Sequence, residues 1–224
     1  MGNNNEIVIF DVDDTLIKGQ SQKIFIDYLF KKKMISLFVY LKILVWFLFY
    51  KIGMVSNPKS IAEYSFKLFR GKTEQEIKNI SKSFFDDCLI KYFYQDALNI
   101  LNEHKKNNGK IILLSNAIEI IIKEIAEYIE IADYICTKLE IKDGLYTGKI
   151  DGNTTFGENK VKKLENFLKE NNLSLEKQQS WGYGDHLSDI FVLKLVKHPF
   201  VVNPNRKLKK IARENNWGIL NFNK

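Results

Sequence analysis

The chain has 224 residues, 45% of them apolar, with 34 Lys and Arg against 27 Asp and Glu for a formal charge of +7. That apolar content beside 27% charged residues excludes a disordered chain, and 3 Pro with 12 Gly exclude a collagen-like or low-complexity one. Two cysteines, Cys88 and Cys136, cannot make a disulfide framework, which points to a reducing, cytoplasmic setting.

Met1 to Glu6 has no basic region leading into an apolar one and does not read as a signal peptide. Glu6 to Phe10 is a short apolar run of strand type that ends in the acidic loop Asp11, Val12, Asp13, Asp14. From about Gln20 to Tyr92 the pattern is helical. Asn57-Pro58 reads as a turn opening one helix, and Thr73 with Glu76 as a capping box opening the next.

Within that stretch, Met34 to Tyr50 is apolar except for Ser36 and Lys42. It falls just short of the roughly 20 residues a membrane crossing needs, with Lys31, Lys32, Lys33 and Lys51 at its ends. The favoured reading is a buried helix of a small helical domain, ahead of a surface that meets lipid or a partner. Phe38, Tyr40, Trp46, Phe47, Phe49 and Tyr50 would then mainly pack that domain.

Gln95 to Asn107 reads as a helix stopped by Gly109, and Lys110 to Leu114 as a second buried strand. A helix from about Ala117 to Ile129 follows, then a strand near Asp133 to Cys136. A hairpin pairs Lys138–Lys142 with Leu145–Ile150 around the turn dipeptide Asp143-Gly144. Further on come a helix over Glu158–Asn171, a strand over Gln178–Tyr183, a helix over Leu187–Val196, a strand at Phe200–Val202 and a helix over Asn205–Asn215. Strands alternating with helices imply an α/β fold with a mainly parallel sheet covered on both faces. His104, His186 and His198 lack metal-ligand spacing and read as surface or loop residues. Both cysteines read as small buried groups, Trp181 as core, and Trp217 as packing the C-terminal strand.

In such sheets the C-terminal strand ends form the ligand crevice. Asp11 and Asp13 sit at one such end, and Asp185 and Asp189 at another. Two acids two apart can be an exposed turn. Four at two strand ends have the hard oxygen chemistry of a Mg²⁺ site. Ser115 and Asn116 follow the second strand and open a helix, where a hydroxyl and backbone N–H groups can hold phosphate, or where Ser115 is only a cap. Lys160 opens another helix, the wrong end for a lysine by the macrodipole alone; bound phosphate would explain it.

FDVDDTL at Phe10–Leu16, LLSNA at Leu113–Ala117, the Lys160 segment and GYGDHLSD at Gly182–Asp189 resemble, in order and spacing, the four motifs of haloacid-dehalogenase-type phosphatases. The helical insertion looks like the cap of their phosphoserine-phosphatase-like branch, subfamily IB. The resemblance implies a three-layer Rossmann-like core over residues 1–18 and 93–224 and an all-α cap over 19–92. It implies Asp11 as nucleophile and Asp13 as general acid and base. Mg²⁺ would be held by the Asp11 and Asp185 carboxylates and the Asp13 carbonyl, with Asp189 behind them. Ser115 and Lys160 would hold the phosphoryl oxygens, Thr15 would order the nucleophile loop, and Thr15, Gln20, Asn116 and Arg70 would be the substrate-binding residues. Asp13 argues against a dehalogenase, since halide needs no protonation.

Catalytic groups on both sides of the Met34–Tyr50 block exclude a single crossing. Phosphoserine phosphatases resembling this chain carry Glu where Gln20 stands, so attraction to a substrate ammonium is lost here. The expected partner is a small phosphorylated molecule and not nucleic acid. A lipid phosphomonoester handled at a membrane surface, and a non-catalytic membrane or partner-binding role for residues 34–50, are the alternatives.

Overall fold

Strand β1 (Glu6–Phe10) is buried on both faces, which is why it reads as a continuous apolar run. Ile7 and Ile9 enter one hydrophobic cluster and Val8 and Phe10 another, so the strand itself marks the middle layer. The computed structural model describes residues 6–51 and 58–223. Asn57, half of the expected turn, lies outside these residues, as does the segment 1–5.

After β1 the chain leaves the sheet for four helices, α1 (Ser21–Lys31), α2 (Leu37–Lys51), α3 (Pro58–Phe66) and α4 (Glu74–Asp87). Phe25, Phe66, Phe69 and Phe84 are fully buried among them, with the Phe25 and Phe84 rings 4.7 Å apart. The capping box at α4 is present: Glu76 N–H donates to Thr73 Oγ1 at 3.2 Å and Thr73 N–H to Glu76 Oε2 at 2.8 Å. This satisfies two helix-end donors reciprocally.

Helix α5 (Gln95–Lys106) leads back to β2 (Lys110–Ile118), followed by α6 (Glu119–Tyr128), β3 (Asp133–Thr137) and the hairpin β4 (Leu139–Lys142) and β5 (Leu145–Ile150). Then come α7 (Glu158–Glu170), β6 (Gln179–Gly184), α8 (Ile190–Leu193), β7 (His198–Val202), α9 (Arg206–Glu214) and β8 (Gly218–Leu220). Six strands form one sheet in the order β3-β2-β1-β6-β7-β8, every neighbouring pair parallel. This is the three-layer α/β architecture expected, with a helical insertion after the first strand. The order reverses between β1 and β6, and such a switch point opens a crevice at the carboxyl ends of the strands.

Several expectations need correction. The helix after β2 starts at Glu119, so Ser115 and Asn116 belong to the strand. The Leu187–Val196 helix is a 3-10 turn, Leu187–Asp189, and the four-residue α8. The hairpin lies outside the main sheet and packs on the insertion: Tyr146 N–H donates to Lys72 O and Gly71 N–H to Tyr146 O, at 2.9 and 2.8 Å. Helix α2 is not a buried helix, since most of its apolar side chains with described burial are exposed. The side chains of Trp46, Phe47 and Tyr50 lie outside the described set.

His104 is not a surface residue. It is buried beneath the sheet, with Nδ1 3.1 Å from Glu6 Oε2 and Nε2 2.9 Å from Tyr183 Oη. His186 and His198, by contrast, are exposed. Trp181 is half-buried against the core and stacked on His198 at 4.7 Å. Trp217 packs beside Leu208, Ala212 and Ile219, next to β8. Cys136 is buried and Cys88 half-buried, and burial pushes the Cys136 thiol up to about 12.

Candidate active site

Strand pairing at the switch point builds the site. Phe10 lies opposite Tyr183, so the residues that follow, Asp11 on β1 and Gly184-Asp185 on β6, leave the sheet side by side. Asp11 N–H donates to Tyr183 O at 3.0 Å, which extends the ladder by one bond and fixes the direction of the Asp11 side chain. Carboxylate oxygens of Asp11, Asp185 and Asp189 all lie within 4.8 Å of one another. Gly184 permits this approach: a Cβ there would stand 2.7 Å from Asp189 Cβ.

Lys160, buried in the first turn of α7, enters from the next element. Its Nζ donates to Asp11 Oδ1 and Asp189 Oδ1, each at 2.6 Å. The two carboxylates offset the unfavourable helix end that the sequence places under this lysine. The double ion pair was not foreseen, because neither residue's spacing reveals that α7 delivers Lys160 between them. Asp189 has its other oxygen occupied, Oδ2 accepting the His186 N–H at 3.0 Å.

Asp13 is turned elsewhere. Its Oδ1 accepts the Ser21 N–H, the first of α1, at 2.8 Å. A carboxylate at a helix N-terminus is held by the unpaired N–H groups and the dipole there. Thr15, fully buried, points its Oγ1 at Asp185 Oδ1, 3.5 Å away. Ser115 ends up beside the Asp11–Asp14 loop because β2 pairs with β1, Leu113 opposite Phe10. It is buried, and its Oγ accepts the Ala117 N–H at 3.1 Å. Asn116 Oδ1 accepts from Thr137 Oγ1 at 3.5 Å.

The substrate-side candidates are peripheral. Gln20 is exposed and its Nε2 donates to Asp14 Oδ2 at 3.0 Å, while Gly19 N–H takes Asp14 Oδ1 at 2.8 Å. Asp14, at φ +56°, is therefore the hinge pin of this loop, a role that its sequence position between two motif residues concealed. Arg70 is exposed after the 3-10 turn Lys67–Phe69, beside the β4–β5 hairpin.

Electrostatics follow from burial. Burial pushes Asp11 up to about 7 against the pull of Lys160, and raises Asp13 to about 6 against its bonds from Ser21. Asp185 is raised by burial and by the nearby Asp11 and Asp189 charges. Lys160 stays firmly charged: burial opposes the charge, but Asp11 and Asp189 outweigh it. Three carboxylates against one ammonium leave two excess negative charges in a water-poor pocket when all are ionised. An all-oxygen donor set with that charge fits a hard divalent cation.

A nucleophile-capable carboxylate, a buried ammonium and a separately held second carboxylate thus meet at the switch point of the sheet. The model of the haloacid dehalogenase-like hydrolase family matches residues 8–194. A histidinol-phosphatase of Neisseria meningitidis is 27% identical over 219 residues, 96% of this chain and 98% of that protein. A protein of unknown function from Bordetella pertussis superposes with a TM-score of 0.89 at 23% identity, covering 97% of this chain and 99% of that one. A phosphoserine phosphatase solved as a phospho-aspartyl intermediate analogue superposes at 0.65 and 19% identity, over 97% and 93% of the two chains. These two structural likenesses speak for the fold. With the family model spanning most of its length, the chain belongs to the haloacid dehalogenase-like hydrolases.

Proposed function

We propose that the protein is a Mg²⁺-dependent phosphatase that hydrolyses a small phosphomonoester through an aspartyl-phosphate on Asp11. The observation that carries this reading is the pairing of Asp11 with Lys160 at the sheet's switch point while Asp13 is held apart by Ser21. In this reading residues 1–18 and 93–224 are the catalytic core and 19–92 the cap, acting in the cytoplasm.

Asp11 attacks phosphorus, and the bond from phosphorus to the ester oxygen breaks. Asp13, whose burial favours the protonated form more than in an exposed carboxyl, gives its proton to the departing alkoxide. The resulting Asp13 carboxylate takes a proton from water, whose oxygen displaces Asp11 and releases phosphate. Ser115 and Lys160 hold the phosphoryl oxygens as charge gathers on them. Mg²⁺, held by Asp11, Asp185 and the Asp13 carbonyl with Asp189 behind, would supply charge neutralisation at the phosphoryl group. Thr15 steadies Asp185, while Asn116, Gln20 and Arg70 are the candidates for contact with the rest of the substrate.

Substrate choice turns on Gln20. An amide pinned to Asp14 offers hydrogen bonds but no charge to an ammonium, so phosphoserine is one candidate among small phosphomonoesters. The test is Mg²⁺-dependent release of phosphate from an aryl phosphate, then from a panel including phosphoserine, histidinol phosphate, sugar, nucleotide and lipid phosphates. Asp11→Asn abolishes turnover in the proposed mechanism; full activity in that variant would overturn it.

A further inference from the structure

Apart from Lys42 and the terminal Lys51, helix α2 is apolar around its circumference, the composition of a helix enclosed by protein, yet among its described side chains one whole face is uncovered. On the covered side Ile43 is fully buried, and Tyr40 stacks on Phe30 at 4.3 Å while donating to Asp27 at 3.0 Å. On the other side Phe38 is 74% exposed, Leu37 57%, Leu48 56% and Leu41 50%, with Val45 and Phe49 also exposed. At 100° per residue these six positions fall on one face. A contiguous apolar strip of this kind marks a contact surface.

The charges around the strip say what it contacts. Between Asp27 and Glu63 there is no acidic residue, whereas Lys31, Lys32, Lys33, Lys42, Lys51 and Lys59 all lie there. Lys31, Lys33 and Lys42 are exposed. A symmetric contact with a second copy needs a self-complementary surface, and this one would set lysines against lysines. Anionic lipid headgroups complement both parts, apolar strip and basic rim. No helix among the described residues is long and apolar enough to cross a membrane, so α2 would lie in the interface plane. We propose that the exposed face of α2 docks the protein onto the surface of an anionic lipid bilayer. This holds whatever the substrate of the active site is.

The experiment is flotation of the full chain with vesicles of phosphatidylcholine alone and of phosphatidylcholine with phosphatidylglycerol, at low and high salt. Binding to the anionic vesicles that weakens with salt is expected. Lys42→Gln should weaken partitioning roughly fivefold. The double variant Leu41→Asp with Leu48→Asp, whose positions are exposed, should weaken it by about tenfold or more. Circular dichroism verifies that the variants fold, and hydrolysis of a soluble aryl phosphate should be unchanged in both. Absence of binding to anionic vesicles at low salt would overturn the proposal, as would binding that the double variant leaves intact. A dimer in solution that the double variant dissociates, with no vesicle binding, would assign the face to a second copy and also overturn it.

Discussion

Lys160 Nζ stands 2.6 Å from Asp11 Oδ1, joining the first turn of α7 to the end of β1 across 149 residues of chain. Both groups are buried, so neither can fall back on water if the other is lost. Breaking a buried pair from one side costs about 3–5 kcal/mol, because the remaining charge is stranded. Lys160→Met therefore lowers the denaturation midpoint markedly and cuts kcat about 100- to 1,000-fold, the usual worth of a donor aimed at developing charge. Chemical denaturation and steady-state turnover of the same preparation check both. A variant of ordinary stability would show that Asp11 and Asp189 do not depend on this lysine.

Asp13 tests the chemistry with less collateral damage. Its Oδ1 accepts the Ser21 N–H, and an Asn side chain can present an oxygen to the same donor. Asp13→Asn should keep the fold and the insertion in place, yet it can neither give nor take the proton. Turnover falls about 100- to 10,000-fold. An activated ester with a good leaving group, which needs no protonation, should recover part of the first step. Equal loss on both kinds of ester in the pre-steady-state burst of leaving-group release, which reads the first step alone, would remove the acid role from Asp13.

Much of this site was legible in the sequence, and the reasons for the rest are physical. Asp11, Asp13, Asp185 and Asp189 announce themselves because they follow apolar strand runs, and β1 and β6 turned out to be neighbours. Ser115 reads as the opening of a helix but belongs to a strand, since β2 continues through four more residues than its apolar core. His104 was missed because helix α5 shows one polar residue at that position and nothing local reveals Glu6 or Tyr183. Those partners come from strands 98 residues before and 79 after it. Helix α2 was misread for the opposite reason: an all-apolar helix normally means burial, and sequence pattern does not show how much protein is available to cover it.

The hairpin's seat on the insertion depends on one glycine. Gly148 holds φ +79°, and a Cβ there would meet Lys67 Cα at 3.0 Å. Gly152 has φ +67° but nothing within 4 Å of the same position. Substituting each by alanine separates backbone strain from packing. Gly152→Ala carries only the conformational cost of about 1–2 kcal/mol. Gly148→Ala adds a push against the turn Lys67–Phe69, so its melting temperature should fall further, beyond the roughly 2–8 °C that the conformational cost alone predicts. Thermal melts of the pair decide it; equal shifts would mean that the hairpin yields without disturbing the insertion.

Glu124 ties the insertion to the core and makes stability depend on pH. It is buried on α6, and Ser81 Oγ of α4 lies 2.8 Å from its Oε1. Burial raises its pKa, and the Ser81 bond offsets that only in part. The folded protein therefore holds this proton more tightly than the unfolded chain does. Its contribution is unimpaired below the ordinary carboxylate range, declines as pH rises through the folded value, and stays a penalty above it. Glu124→Gln keeps the shape and a partner for Ser81 but has no charge to desolvate. The variant should match the parent near pH 4 and melt higher at pH 8, where only the parent carries a desolvated charge at this position. Thermal melts across that range give the answer directly. A variant that melts lower at pH 8 would mean that the ionised carboxylate, bonded to Ser81, holds the two parts together better than a neutral amide can.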